Sequence, residues 1–300
     1  MTKIVVLGES LVDVVDSIAH PGGSPLNVAV GLSRLGQQVR FYTEFGRDDY
    51  GRAIAEHLAE SGVELADGSV SDRSTSVALV KMDEHSNAHY TFDIHQQLPP
   101  VREAEAPELM HTGSIAVWVE PSGHSIVEAF GAAQPSTLRS YDPNLRPDLV
   151  TDRAATVRRI EVLVALSHVV KLSDVDAQWL YPELDQWQVL EHLAELGAKL
   201  CVMTRGADGC RALADGQRYE ATALPTTLQD TIGAGDAFMS GLLHGVLSGE
   251  LAQALRAGSS PTAPEVRRAL HHALASAALT VAQRGANPPW AKTFAAALSD

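Results

Sequence analysis

The sequence has 300 residues, 45% hydrophobic and 5% aromatic, with 37 acidic against 23 basic side chains and a formal charge of −14. A chain this long buries a sizeable core without a disulfide scaffold, and its acidity opposes non-specific binding to nucleic acid or to an anionic membrane. Cys201 and Cys210 have no metal-ligand spacing around them and read as reduced packing residues of a cytoplasmic protein.

Residues 4–7 form a short apolar run closed by Gly8. The run reads as a buried strand and is too short for a signal peptide. No stretch is long and apolar enough for a membrane span. Residues 25–35 repeat apolar side chains at helical spacing. Ser24 is placed to N-cap them, Pro25 suits the first helical position and Gly36 the C-terminal stop. A strand is expected at 39–43 and a helix at 49–61, ended by Gly62. Runs 76–82 and 88–94 alternate apolar and polar residues around a turn at 83–87, as an antiparallel pair in a small sheet of its own does. From residue 110 the rhythm is regular. Strands at 110–115, 138–141, 167–171 and 200–204 alternate with helices at 122–133, 152–164, 174–180 and 186–196. A hairpin turns at Asp215-Gly216. Two helices, 234–248 and 264–283, fill the last third, with a loop at 257–264 between them. The alternation predicts one α/β domain over 1–300: a doubly wound, mostly parallel sheet with helices on both faces. Segments 11–20 and 75–97 would form a small β-sheet lid.

The most informative stretch is Asp230-Thr231-Ile232-Gly233-Ala234-Gly235-Asp236-Ala237-Phe238, ahead of an apolar helix. Glycines before a helix let backbone N–H groups converge on an anion, and the helix dipole assists. Asp236 would sit in the first turn beside that anion. A carboxylate there serves simple binding poorly, because like charges repel. It serves phosphoryl transfer well, where it takes the proton of the attacking hydroxyl. On the residues alone, an acid that only complements the helix dipole remains the alternative. The turn is neither a Walker loop nor a dinucleotide fingerprint.

This stretch resembles the C-terminal signature of the ribokinase/PfkB family of sugar kinases. Gly22-Gly23-Ser24-Pro25-Leu26-Asn27-Val28-Ala29-Val30, continuing to Arg34-Leu35-Gly36, resembles the family's N-terminal signature. The resemblance implies a ribokinase-like fold that uses ATP and Mg²⁺. It makes Asp236 the general base and Gly233, Ala234 and Gly235 the anion hole. It places Asp230 and the carbonyl of Ile232 where some members bind a monovalent cation, K⁺, with Gln283-Arg284-Gly285-Ala286 adding to that site. Thr204-Arg205-Gly206-Ala207-Asp208-Gly209 resembles the nucleotide loop, with Thr204, Gly206 and Gly209 as cofactor-binding positions. Ser173 and Asp176 fall where the family has Asn and Glu that organise Mg²⁺ through water; read locally, Ser173 is a helix N-cap.

On the sugar side, Gly8-Glu9-Ser10-Leu11-Val12-Asp13 resembles the opening of fructokinase-like members. Asp13, Gly23 and Asn27 fall on sugar-binding positions, where a carboxylate and an amide suit vicinal hydroxyls. Asp142-Pro143-Asn144-Leu145-Arg146-Pro147 supplies Arg146 as a cation near substrate or phosphate. Many members carry an Arg after the aromatic residues of the lid strand, where this chain has Asp93 and His95. Asp93 would repel a sugar acid, whereas His95 can hydrogen-bond a hydroxyl. The expectation is an ATP-dependent kinase of a small neutral sugar, with fructose leading. The alternatives are a kinase of another ketose, of 2-keto-3-deoxygluconate or of a nucleoside, or a non-catalytic sugar sensor. The lid sheet leaves an edge at which a second copy of the chain could pair as a homodimer.

Overall fold

The computed structural model describes residues 3–15, 18–82 and 88–299, so the expected turn at 83–87 lies outside the described residues. The strands are β1 (Lys3–Leu7), β2 (Leu11–Val15), β3 (Ile18–Gly22), β4 (Gln38–Tyr42), β5 (Glu64–Leu65), β6 (Val77–Met82), β7 (Ala88–Asp93), β8 (Leu109–Gly113), β9 (Leu138–Asp142), β10 (Val169–Ser173), β11 (Leu200–Thr204), β12 (Cys210–Ala214) and β13 (Gln217–Ala221). The helices are α1 (Ser24–Arg34), α2 (Asp49–Glu60), α3 (Ser122–Ala132), α4 (Arg153–Leu166), α5 (Asp174–Leu180), α6 (Gln186–Leu196), α7 (Ala234–Leu247), α8 (Leu251–Ala257), α9 (Ala263–Val281) and α10 (Ala291–Ala297).

Nine strands make the main sheet, in the order β13-β12-β11-β10-β9-β8-β1-β4-β5. All neighbours run parallel except at β12 and β13, which close one edge as an antiparallel hairpin. Successive side chains of a strand face opposite sides, and β1 shows the consequence. Ile4 and Val6 join a core with Leu26 and Val30 of α1, Leu242 of α7 and Ala273 of α9. Val5 and Leu7 join the opposite core with Ile126 and Phe130 of α3, Ile160 of α4 and Leu190 of α6. The expected doubly wound sheet with helices on both faces is what forms. β2, β3, β6 and β7 make a separate four-stranded sheet in the order β3-β2-β6-β7.

Three local differences from the sequence reading have physical reasons. Ser24 does not N-cap α1: the N-cap is Gly23, and no side chain caps that end. Its hydroxyl is drawn into a tertiary contact instead. Ahead of the loop expected at 257–264, a stretch the sequence reading left unassigned forms α8, on which Leu251, Ala252 and Leu255 are buried. α10, also unexpected, is anchored by Phe294 packed with Leu35 and Ala275. Helices of seven residues are too short for a periodic signal and are held by packing.

Candidate active site

The C-terminal ends of the parallel strands, where open α/β sheets bind ligands, carry most of the motif residues. Gly233 takes a left-handed conformation, φ 74°, as the N-cap of α7. A Cβ there would stand 2.6 Å from the Ala286 side chain, so only glycine permits this approach. The Ala234 N–H is committed to the Thr231 carbonyl (3.2 Å) and the Ala237 N–H to the Gly233 carbonyl (2.8 Å). Among the described residues the N–H groups of Gly233, Gly235 and Asp236 take no such backbone acceptor, as the first N–H groups of a helix do not. Of the three expected anion-hole amides, that of Ala234 is therefore occupied.

Asp236 is 7% exposed in the first turn of α7. Its Oδ1 accepts from the Ser24 hydroxyl at 2.6 Å and from Asn144 Nδ2 at 3.3 Å, and its Oδ2 accepts from Asn27 Nδ2 at 2.8 Å. Asn144 Nδ2 also donates to Ser24 Oγ at 2.8 Å. The two ends of the chain thus meet on one carboxylate. Gly23 sets up that meeting. Its φ of 109° turns the chain from β3 into α1, and a Cβ would stand 2.7 Å from the Glu9 carbonyl.

Asp13 of β2 faces the same space. Burial raises its carboxyl above the usual range, Arg146 and His20 oppose that shift, and Asp236 adds to it. The Arg146 guanidinium donates to Asn144 Oδ1 at 2.7 Å and to the carbonyls of Asn144 and Leu145, each at 3.0 Å. Arg146 therefore braces the loop that carries Asn144, whose own backbone is left-handed, φ 37°. Glu9 is buried beside this loop. Its Oε2 accepts from the Ala116 N–H at 3.0 Å, and burial raises its carboxyl.

Ser173 and Thr204 pair at the ends of β10 and β11. The chain then turns through Gly206, φ 52°, to Gly209, φ 86°. Ser173 caps α5 as the local reading expects, in a full capping box with Asp176. Asp176 Oδ2 accepts from the Ser173 N–H (2.9 Å) and hydroxyl (2.7 Å), and its Oδ1 accepts from the Leu145 N–H (2.8 Å). That carboxylate is engaged within the protein and pins the Asn144 loop to α5. Asp230 accepts from the Ile232 N–H at 3.0 Å and from the Gly285 N–H at 2.8 Å. Those bonds hold its carboxyl below the usual range. Segments 230–232 and 283–286 are thereby brought together.

His95 stands apart from this cluster. Its side chain is 49% exposed and its Nε2 lies 3.0 Å from the Asp93 carboxylate. Sequence reasoning missed Ser24, Asn27 and Asn144 as partners of Asp236, although all three lie inside the motifs that were singled out. Cys201 and Cys210 are buried free thiols, each pushed up to about 12 by burial.

The sequence pattern of the pfkB family carbohydrate kinases matches residues 1–293. A fructokinase from Klebsiella pneumoniae is 32% identical over 264 residues, covering 81% of this chain and 84% of that one. A probable fructokinase-7 from Arabidopsis thaliana is 32% identical, covering 96% of this chain and 89% of its own. A double-mutant fructokinase from Vibrio cholerae O395, solved with fructose, ADP and a potassium ion, superposes with a TM-score of 0.81. It is 25% identical and covers 100% of this chain and 98% of that one. With a glycine turn beside a buried carboxylate and a family match over almost its whole length, the chain belongs to the pfkB family of carbohydrate kinases, phosphotransferases with an alcohol group as acceptor.

Proposed function

We propose that the chain phosphorylates a small neutral ketose, fructose first, at the expense of ATP. One observation carries this reading. Asp236 is buried next to the glycine turn and is held by side chains from the sugar-side motif. In the resting protein Asn27 donates to Asp236, as a sugar hydroxyl would when it replaces that bond. Asp236 then accepts the hydroxyl proton, and the amides of Gly233, Gly235 and Asp236 face the charge that develops on the phosphoryl group. Asp13, Gly23 and Asn27 contact the sugar. Thr204, Gly206 and Gly209 line the nucleotide side, next to Ser173. The sheet of β2, β3, β6 and β7 acts as a lid that excludes water. The fructokinase relatives support a ketose.

Among the described residues no group of three or more His, Cys, Asp or Glu side chains is assembled to hold a metal. With Asp176 engaged in hydrogen bonds, the residues fit a magnesium ion that arrives on the nucleotide phosphates rather than one caged by protein. When bound, that ion neutralises phosphate charge. The ionised Asp230 and the neighbouring backbone carbonyls are hard oxygens that fit a monovalent cation such as K⁺.

The test is ADP release across fructose, tagatose, ribose, 2-keto-3-deoxygluconate and adenosine, in potassium and in tetramethylammonium buffer, with Asp236→Asn as control. Fructose turnover is expected, faster in potassium, and a fall of roughly a hundredfold to ten-thousandfold in the variant. Near-normal turnover by Asp236→Asn sinks the assignment of the base. A preference for the acid or the nucleoside sinks the neutral-ketose reading.

A further inference from the structure

Lys171 on β10 is 3% exposed, and its Nζ lies 2.7 Å from Oδ2 of Asp142, the fully buried last residue of β9. A Cβ placed on Gly235 would stand 3.3 Å from that Nζ. The ammonium is therefore seated directly behind the anion turn. Other ionisable groups face it from every side: Asp176 from α5, Asp236 from α7 and His111 from β8. The second oxygen of Asp142 has no hydrogen-bond partner among the described residues.

A buried ion pair is a poor device for stability alone, because desolvating two charges cancels most of their attraction, and an apolar pair of equal volume serves as well. A fixed positive charge under a phosphate turn is a different matter. It stabilises negative charge that builds there in the transition state, at no reorganisation cost during reaction. Asp142, wholly buried, holds the ammonium in place.

We propose that Lys171, held by Asp142, is a positioning residue of phosphoryl transfer, whose ammonium acts through the Gly235 turn to offset the negative charge shared by the transferring phosphoryl group and Asp236. The proposal rests on the reading of residues 233–236 as the phosphoryl site.

Three variants test it, with Asp236→Asn alongside. The double variant Lys171→Met/Asp142→Asn removes both charges at nearly constant volume. Lys171→Arg keeps the charge but crowds the packing. Lys171→Met alone leaves Asp142 unpaired and reports the structural cost. Turnover, both KM values and melting temperature are read for each. The double variant is expected to melt near the wild type, with kcat lower by about tenfold to a hundredfold and both KM values little changed. Lys171→Arg is expected to melt lower yet turn over faster than the double variant. Turnover that follows melting temperature rather than charge overturns the proposal. So does near-normal kcat in the double variant while Asp236→Asn is inactive, or a double variant that fails to fold beside an inactive Lys171→Arg. Activity retained by Asp236→Asn removes the site reading itself, and this proposal with it.

Discussion

Asn144 holds a left-handed backbone, φ 37°, that an L-residue other than glycine adopts at a cost. Its amide reaches both Ser24 and Asp236. Two substitutions separate these roles. Asn144→Gly keeps the backbone at ease and removes the amide, whereas Asn144→Ala removes the amide and strains the backbone. Turnover should fall by roughly tenfold in both, the worth of one hydrogen bond to a charged group. Only Asn144→Ala should also lose about 1 kcal/mol of stability relative to Asn144→Gly in urea unfolding. Unequal losses of turnover would mean that the backbone, not the amide, serves the base. Ser24 shows what local reading misses. By position it is a good N-cap, but its hydroxyl bonds a carboxylate 212 residues away. That choice belongs to the tertiary fold and leaves no trace in the neighbouring residues. Asp236 and Gly233 could be singled out because a glycine-rich turn before a helix has a chemical meaning of its own, whereas Asn27 stood out only through the family resemblance.

At the scale of elements, strands such as β1 and β11 were legible because each is a short, mostly apolar run bounded by turn residues, buried on both faces. α8 and α10 were not, since each spans seven residues and owes its order to the side chains it docks. α5 is equally short but was legible, because its capping box writes Ser and Asp three apart at its start. The structure adds that this cap also secures the Asn144 loop through the Leu145 N–H. Asp176→Asn keeps an oxygen for Leu145 but loses the acceptor for the Ser173 N–H and hydroxyl. The cost should be about 1–2 kcal/mol of stability, with a parallel loss of turnover as the loop loosens. A variant of unchanged stability but raised magnesium requirement would instead show that Asp176 serves the ion through water.

Across the whole molecule, several histidines are kept neutral by the fold. Burial, the largest cause in each case, pushes His111 down to about 3 and both His168 and His272 down to about 4. They sit on β8, at the entry to β10 and on α9, so the main sheet and a covering helix are both involved. Unfolding frees each to its ordinary value of 6.5. Between 6.5 and about 4 the unfolded chain therefore binds the extra protons, and stability falls as pH falls through that window. Asp142 works the other way, because burial raises it to about 6 and the folded state takes its proton first. A single substitution isolates the histidine contribution. His168 Nδ1 accepts from the Arg139 N–H at 3.0 Å, and the side-chain oxygen of an asparagine reaches the same place without titrating. His168 also joins three strands through its backbone. Its N–H bonds the Arg139 carbonyl, and its own carbonyl takes the N–H groups of Lys199 and Leu200. None of these bonds changes in His168→Asn. Melting temperature followed from pH 7 downward should therefore drop less steeply in His168→Asn than in the wild type, with the two curves running parallel again below about pH 4. Parallel curves over the whole range would mean that His168 takes up its proton without unfolding, and that its burial between the positive charges of Arg139, Lys199 and Arg256 does not hold it neutral.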